Sequence, residues 1–384
     1  MRFVKVMNKA NTAVPRTTPR HPKVSAVHSR RRARTTMVTT ATTASTAPTG
    51  QKKTLIRKAA NASGIAGAHS TRFSSGWFTR EILGKPAAHA ASRLGLMPEL
   101  PEVEALAVDL RGRLKDRAIT KIHLAQFSAL KTFDPPLSAL EGTLVDDVTR
   151  HGKFLDIEAS GIHLILHLAR AGWVRWRDEV PTIPPKPSPK STLAARVVLD
   201  SEEGLDITEA GTKKSLALYV VRAPQDVPGI ATLGPEPMND DFTQEVFARI
   251  LQEAGRKQLK GVLRHQGTIA GIGNAYSDEI LHAARMSPYK PADSLSEEEL
   301  TTLYSALRST LADAVARSTG LAASELKGEK KSHMAVHGRT GLPCPVCGDT
   351  VREVSFADSS LQYCPTCQTG GKPLADRRMS KLLK

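Results

Sequence analysis

Three features are scarce in this 384-residue chain: long apolar runs, cysteine and, before residue 97, acidic side chains. No run of 18 or more apolar residues occurs, which excludes a membrane-spanning helix. The four cysteines fall into two close pairs, so no odd thiol is left over. The shortage of acidic residues is confined to one segment, and it changes how the net charge is interpreted.

Residues 1–96, here called the leader, carry 18 Lys and Arg against one acidic residue, Glu81, which gives a net charge of +17. Residues 97–384 carry 36 basic and 37 acidic residues, a net charge of −1. The whole-chain charge of +16 is therefore a property of the leader. Total charge does not predict nucleic-acid binding by residues 97–384, where only local basic patches could support it.

The leader is rich in Thr, Ala, Ser and Arg and has no sustained helical or strand periodicity, so we expect it to be disordered. Three interpretations are open. In the first, Met97 is the true initiator. In the second, the leader is an Arg-rich, acid-poor transit peptide, and in the third it is a retained basic tail. The stretch "MPELPEVEAL" from Met97 resembles the start of a protein, and an exposed Pro98 would carry a free secondary amine.

The cysteines have the spacing C-x2-C-x16-C-x2-C, at Cys344, Cys347, Cys364 and Cys367. Two C-x2-C turns joined by a β-hairpin supply the tetrahedral sulfur geometry that Zn²⁺ prefers. The alternative is a pair of disulfides, which would form only in an oxidising compartment. The pattern predicts one structural Zn²⁺ per chain.

Residues 97–384 are long enough for two domains of ordinary size. Apolar residues at helical spacing predict a helix that begins almost at Pro98. Short alternating segments between residues 119 and 222 predict a two-layer β-sandwich, and "LGPEPMNDDF" marks its exit. From Asp241 to about Leu326 the periodicity becomes helical. Within it, "TIAGIGN" is either a structural helix hairpin or a turn that presents backbone amides to a phosphate, with Asn274 capping the next helix.

Five ordered motifs, "MPELPEVE", "RHGKF", "GIGNAYSDEIL", "HGRTGLPCPVCG" and "YCPTCQ", resemble the formamidopyrimidine-DNA glycosylase and endonuclease VIII family of base-excision repair enzymes. The resemblance covers residues 97–384, and "PELPE" favours the formamidopyrimidine branch. It implies an α+β multidomain fold: a β-sandwich with a leading helix (97–235), a helix-two-turn-helix domain (236–330) and a C-terminal zinc-finger hairpin (331–384). Damaged double-stranded DNA would bind in the cleft between them.

The resemblance implies that Pro98 is the nucleophile, exposed by removal of the initiator methionine. An α-amine has a reference pKa of about 7.7–8.0, against about 10.4 for Lys, so more of it is unprotonated at neutral pH. Attack on the sugar C1′ would expel the base and leave an iminium, and β- and δ-elimination would then cleave the strand. Without the resemblance, Pro98 would be the first residue of a helix.

Two further residues match family positions. Glu99 matches the acid/base carboxylate beside the nucleophile. Lys153, in "RHGKF" on a turn between two strands, matches a lysine that contacts the phosphate at the lesion; an isolated lysine there would be surface charge. Glu102, one turn further on, either supports the site or is a solvated acid at the helix start.

Three sites, with four residues between them, depart from the family pattern. Arg170 replaces the methionine that fills the DNA stack, Lys214 and Ser215 replace an arginine and an aromatic wedge, and Ser359 replaces an arginine of the zinc finger. We predict DNA contacts by Asn274, Lys214 and Arg170, but the family's choice of lesion does not transfer.

The sequence therefore predicts a bifunctional glycosylase and abasic-site lyase, with a catalytically silent DNA-binding protein or mainly an abasic-site lyase as alternatives. We expect a monomer without membrane attachment. It would be cytoplasmic and nucleoid-associated, or organellar if the leader is a transit peptide.

Overall fold

The computed structural model of the protein describes residues 97–211, 213–356 and 359–375. The predicted disorder of the leader, and the three interpretations of it, concern residues outside those ranges. Among the described helices, none combines the length and the apolarity needed to cross a lipid bilayer.

The first helix, α1 (Leu100–Leu114), begins two residues after Pro98. Glu99 is its N-cap residue, and the Glu99 backbone N–H donates to the Glu102 carboxylate over 2.8 Å. Pro98 therefore lies outside the helix, so the alternative that it is the first helical residue is wrong. The helix buries one apolar face, as its spacing predicted.

Eight strands form the two sheets of the predicted β-sandwich. They are β1 (Ile119–Leu124), β2 (Val145–His151), β3 (Phe154–Ala159), β4 (Ile162–His167), β5 (Gly172–Arg177), β6 (Leu193–Leu199), β7 (Gly204–Glu209) and β8 (Ala217–Val221). One sheet has the order β1-β6-β7-β5 and the other β2-β3-β4-β8, and all neighbouring strands are antiparallel. Apolar side chains of both sheets and of α1 share one core.

The helical region follows the sandwich and has a core of its own. The helices after β8 are α2 (Pro228–Ala231), α3 (Gln244–Ala254), α4 (Leu259–Arg264), α5 (Asn274–Ala283), α6 (Glu297–Ser318) and α7 (Leu326–His333). Helices α3 to α6 share this core, whereas Ile230 of α2 and Leu326 of α7 pack with residues of the sandwich. Leu100 of α1 packs in this second core, while residues further along α1 pack in the first. Helix α1 thus joins the two cores at the point where Pro98 and Glu99 lie.

The C-terminal part is a small hairpin of β9 (Arg352–Ser355) and β10 (Ser360–Tyr363), followed by α8 (Pro365–Thr369). The α+β fold with a β-sandwich, a helical domain and a zinc-finger hairpin is confirmed. The division at residues 235/236 and 330/331 stays a prediction, and the second boundary falls inside α7. Trp173 Nε1 donates to the Ala323 carbonyl over 2.7 Å, so the segment before α7 also contacts the sandwich.

Candidate active site and zinc site

The carboxylate of Glu99 lies at the N-terminus of α5. It accepts backbone hydrogen bonds from Gly273 (2.6 Å), Ala275 (2.9 Å) and Tyr276 (3.3 Å), and only 2% of the residue is exposed. The first N–H groups of a helix have no intrahelical partner and carry partial positive charge, so they suit a carboxylate. This contact holds the residue next to Pro98 against the helical domain.

The glycine turn before α5 makes that approach possible. A Cβ on Gly273 would lie 2.6 Å from Glu99 Oε1, which leaves no room for a side chain. Gly271 has φ of +83°, a conformation that favours glycine, and its carbonyl accepts the Leu100 N–H over 3.0 Å. The sequence correctly predicted a close turn at these two glycines.

The predicted capping by Asn274 is wrong, because Gly273 is the N-cap of α5 and Asn274 is its first residue. Asn274 Nδ2 instead donates to the Ser360 carbonyl over 2.7 Å, and its buried Oδ1 has no partner among the described residues. The turn also does not leave its amides free for a phosphate, since Glu99 occupies those of Gly273, Ala275 and Tyr276. A DNA contact by Asn274 stays a prediction.

Glu102 is buried, with 1% exposure, so the alternative of a solvated acid is wrong. Its carboxylate accepts from Tyr276 Oη (2.6 Å) and from Lys330 Nζ (2.8 Å). Burial and the Glu102 carboxylate raise the pKa of Tyr276 well above its ordinary value, so the phenol remains a donor. Lys330, on α7, also donates to the Met97 carbonyl over 3.0 Å and lies 4.0 Å from Glu99 Oε1.

Lys330 was not singled out from the sequence. Helix α7 lacks a clear apolar period, and "KGEKK" resembles a solvated basic segment. Its Nζ lies 4.6 Å from the centre of the Tyr276 ring. In the sequence, Lys330 is one lysine within a run of mixed charge. Such runs are too common to predict that one of their lysines is buried.

Lys153 lies on the two-residue turn between β2 and β3, where His151 pairs with Phe154. Burial lowers the pKa of Lys153, as do Lys330 and Arg264, while Glu99 opposes the shift. Burial acts to raise the pKa of Glu99, but Lys330, Lys153 and the Ala275 N–H more than offset it, so that pKa is lowered. The structure therefore brings Pro98, Glu99 and Lys153 into one electrostatic environment.

His167, at the end of β4, belongs to the same environment. Burial and the nearby Lys153 charge lower its pKa to about 4, so the imidazole is neutral at neutral pH. Its ring packs on Phe154, with 4.7 Å between the ring centres.

The three residues that are predicted to replace the family's DNA-filling groups lie on two loops of the sandwich. Arg170 is exposed between β4 and β5. Lys214 Nζ donates to the backbone carbonyls of Ser191 (3.2 Å) and Glu209 (2.6 Å). The Ser215 N–H donates to the buried Glu209 carboxylate over 2.8 Å. The contacts found for Lys214 and Ser215 are thus made within the sandwich, and their DNA contacts stay predictions.

Helix α5 connects the Glu99 site to the C-terminal hairpin. Buried Asp278 accepts from Lys260 Nζ (2.5 Å) and the Gln362 N–H (3.2 Å), and it pairs with His337 Nδ1 (2.9 Å). Glu279 accepts three backbone N–H groups of residues 335–337. One face of α5 therefore fixes the hairpin while its N-terminus holds Glu99.

The four predicted zinc ligands come together in this hairpin. All four Sγ atoms lie within 4.8 Å of one another, with 3.9 Å between Cys344 and Cys367 and 3.3 Å between Cys347 and Cys364. Tetrahedral zinc with Zn–S bonds of about 2.3 Å requires sulfurs roughly 3.8 Å apart. The cysteines fit one structural Zn²⁺, and all four are free rather than disulfide-bonded, so the disulfide alternative is wrong.

Comparison with known proteins identifies all three parts of the fold. Residues 97–215 match the formamidopyrimidine-DNA glycosylase N-terminal domain, and residues 233–325 match the H2TH domain of the same enzyme. Residues 341–370 match the zinc finger found in FPG and IleRS. The formamidopyrimidine-DNA glycosylase of Thermus thermophilus is 35% identical over 285 residues, which are 72% of this chain and 100% of the relative.

The chain belongs to the formamidopyrimidine-DNA glycosylase family. An uncharacterized formamidopyrimidine-DNA glycosylase-like protein of Mycobacterium tuberculosis is 61% identical over 152 residues, 40% of this chain and 94% of that protein. The crystal structure of MutM (Fpg) from Thermus thermophilus superposes with a TM-score of 0.60 at 34% identity, covering 72% of this chain and 100% of that one. Lactococcus lactis Fpg with N7-benzyl-Fapy-dG DNA gives a TM-score of 0.63 at 26% identity, covering 71% and 100%.

Proposed function

We propose that the protein is a bifunctional DNA glycosylase and abasic-site lyase that removes oxidised bases from damaged double-stranded DNA. Family membership supports a DNA-repair glycosylase. Solved relatives bound to abasic-site DNA and to DNA with carbocyclic 8-oxo-G support damaged DNA as the substrate. The observation that carries the proposal is the buried Glu99 carboxylate, held by three backbone N–H groups directly after Pro98.

In this mechanism the Pro98 amine is free because the active form begins at that residue. The amine attacks the sugar C1′ and the bond to the damaged base breaks. The C1′–O4′ bond then opens, with O4′ taking a proton, and the nitrogen becomes an iminium. That cation acidifies the 2′ hydrogen, so elimination cleaves the strand. Glu99 moves protons at the sugar ring, and its hydrogen bonds to the N-terminus of α5 support this role by fixing the orientation of its carboxylate. Lys153 contacts the phosphate at the lesion.

A narrower activity, mainly on abasic sites, is favoured by the loop that precedes β8. Lys214 and Ser215 hydrogen-bond to groups of the sandwich, and neither offers an apolar surface. A base that leaves the DNA stack must have its stacking replaced, and this loop is poorly suited to that task. An abasic site has no base to extrude.

The experiment compares cleavage of an abasic-site duplex by the 384-residue chain and by the form that begins at Pro98. We expect cleavage by the Pro98 form alone, because the longer chain has an amide at that nitrogen. Changing Lys153→Gln should reduce cleavage, whereas Lys186→Gln, at an exposed position in the loop between β5 and β6, is the matched control. Cleavage by protein whose intact leader is verified by mass analysis would contradict the proposal, and an inactive Pro98 form would favour a silent DNA-binding scaffold.

A further inference from the structure

The buried ammonium of Lys330 lies beside the nitrogen that the proposed function makes the nucleophile. Lys330 Nζ donates to the Met97 carbonyl oxygen over 3.0 Å. That oxygen is two bonds from the Pro98 nitrogen, so the ammonium lies no more than about 5.6 Å from that nitrogen. Lys330 is 2% exposed, so little water separates the two groups.

Lys330 is held in place by two carboxylates and an aromatic ring. Its Nζ donates to Glu102 over 2.8 Å, lies 4.0 Å from Glu99 Oε1 and sits over the Tyr276 ring. Once Met97 is removed, the Met97 carbonyl is lost while these three partners remain. The ammonium then faces the free Pro98 amine directly.

The charged and titratable groups around Pro98 come from each neighbouring element. They are Glu99 and Glu102 at the start of α1, Lys153 on the β2–β3 turn, His167 at the end of β4, Lys260 and Arg264 on α4, Tyr276 on α5, Lys330 on α7 and His337 beyond it. The two carboxylates nearest to Pro98 favour a protonated amine, which cannot attack carbon. A cation that offsets them is therefore needed at this position.

We propose that Lys330 is a positioning residue that keeps the Pro98 amine unprotonated at neutral pH. The proposal rests on the proposed function, in which that amine is the nucleophile. On an abasic site, the neutral amine nitrogen bonds to the aldehyde C1′. The aldehyde oxygen leaves as water, taking one proton from the amine and one from solvent, and an iminium remains. A protonated amine has no lone pair for the first step.

The test measures the pH dependence of single-turnover adduct formation with an abasic-site duplex, trapped by borohydride. The range should span the reference amine pKa of about 7.7–8.0. Lys330→Met removes the charge, Lys330→Gln removes it but keeps a donor for Glu102, and Lys330→Arg keeps the charge. Lys331→Met, an exposed neighbour on α7, is the matched control. Zinc content and circular dichroism verify folding, and both the full chain and the Pro98 form are assayed.

We expect the Met and Gln variants to move the acid limb of the profile upward by about one pH unit, because the carboxylates then act on the amine with less compensating positive charge nearby. Their rates should approach that of the unmodified protein at high pH, and the Arg and Lys331→Met variants should keep the original midpoint. An adduct at Pro98 with an unchanged midpoint in folded Lys330→Gln would overturn this proposal alone. An adduct that maps to Lys330 itself would overturn both this proposal and the proposed function. No adduct with any form would overturn the proposed function as well.

Discussion

Glu99 Oε2 accepts the backbone N–H of Gly273 over 2.6 Å, which joins the residue after Pro98 to the N-terminus of α5. The two residues are 174 positions apart in the chain, yet the contact is buried. It ties the start of the sandwich domain to the helical domain, and α5 in turn fixes the zinc hairpin through Asp278 and Glu279. The position of the residue next to Pro98, the proposed nucleophile, therefore depends on three parts of the chain.

Changing Gly273→Ala should displace the Glu99 carboxylate, because the added Cβ would overlap it. We expect a stability loss of about 1–3 kcal/mol from overpacking. Cleavage of abasic DNA should fall at least roughly tenfold, as expected when a reacting group is misplaced. Urea unfolding and single-turnover cleavage measure the two effects. Gly261→Ala in α4 is the control, since nothing lies within 4 Å of its added Cβ. Equal activity of the two variants would show that Glu99 does not need this position.

Changing Cys364→Ser should release the metal, because structural zinc is held by all four sulfurs. We expect about one Zn²⁺ per unmodified chain, and weaker DNA binding by the variant with the β-sandwich still folded. Metal analysis, a DNA titration and circular dichroism test these expectations. Stoichiometric iron, or full DNA affinity in metal-free protein, would refute them.

We expect Arg170, Lys214 and Ser215, which differ from the family pattern, to change which DNA lesions the protein prefers. Extruding an intact base should cost a few kcal/mol more than in a protein with an apolar wedge, so 8-oxoguanine should be excised slowly and abasic sites cleaved rapidly. Arg170→Met combined with Ser215→Phe should recover part of the excision. The comparison uses single-turnover rates of the Pro98 form on both substrates. Equal rates in the unmodified protein would mean that other residues replace the lost stacking.

The sequence predicted the β-sandwich, α1, the helical region that contains α3–α6 and the four zinc ligands, because each depends on local periodicity or on short spacing. It did not predict α7, whose single buried apolar residue is Leu326. It also misassigned the cap of α5, since the group that binds those amides is Glu99, far away in the chain. The role of Lys330 could not be predicted for the same reason: its partners, Glu102 and Met97, are more than 200 residues away.

The most direct test of the central claim identifies the residue that carries the trapped sugar. The Pro98 form is incubated with an abasic-site duplex, reduced with borohydride, digested and analysed by mass spectrometry. The proposed mechanism predicts a single covalent adduct on the Pro98 nitrogen. An adduct on Lys153 or Lys330, or strand cleavage without any trapped adduct, would contradict it.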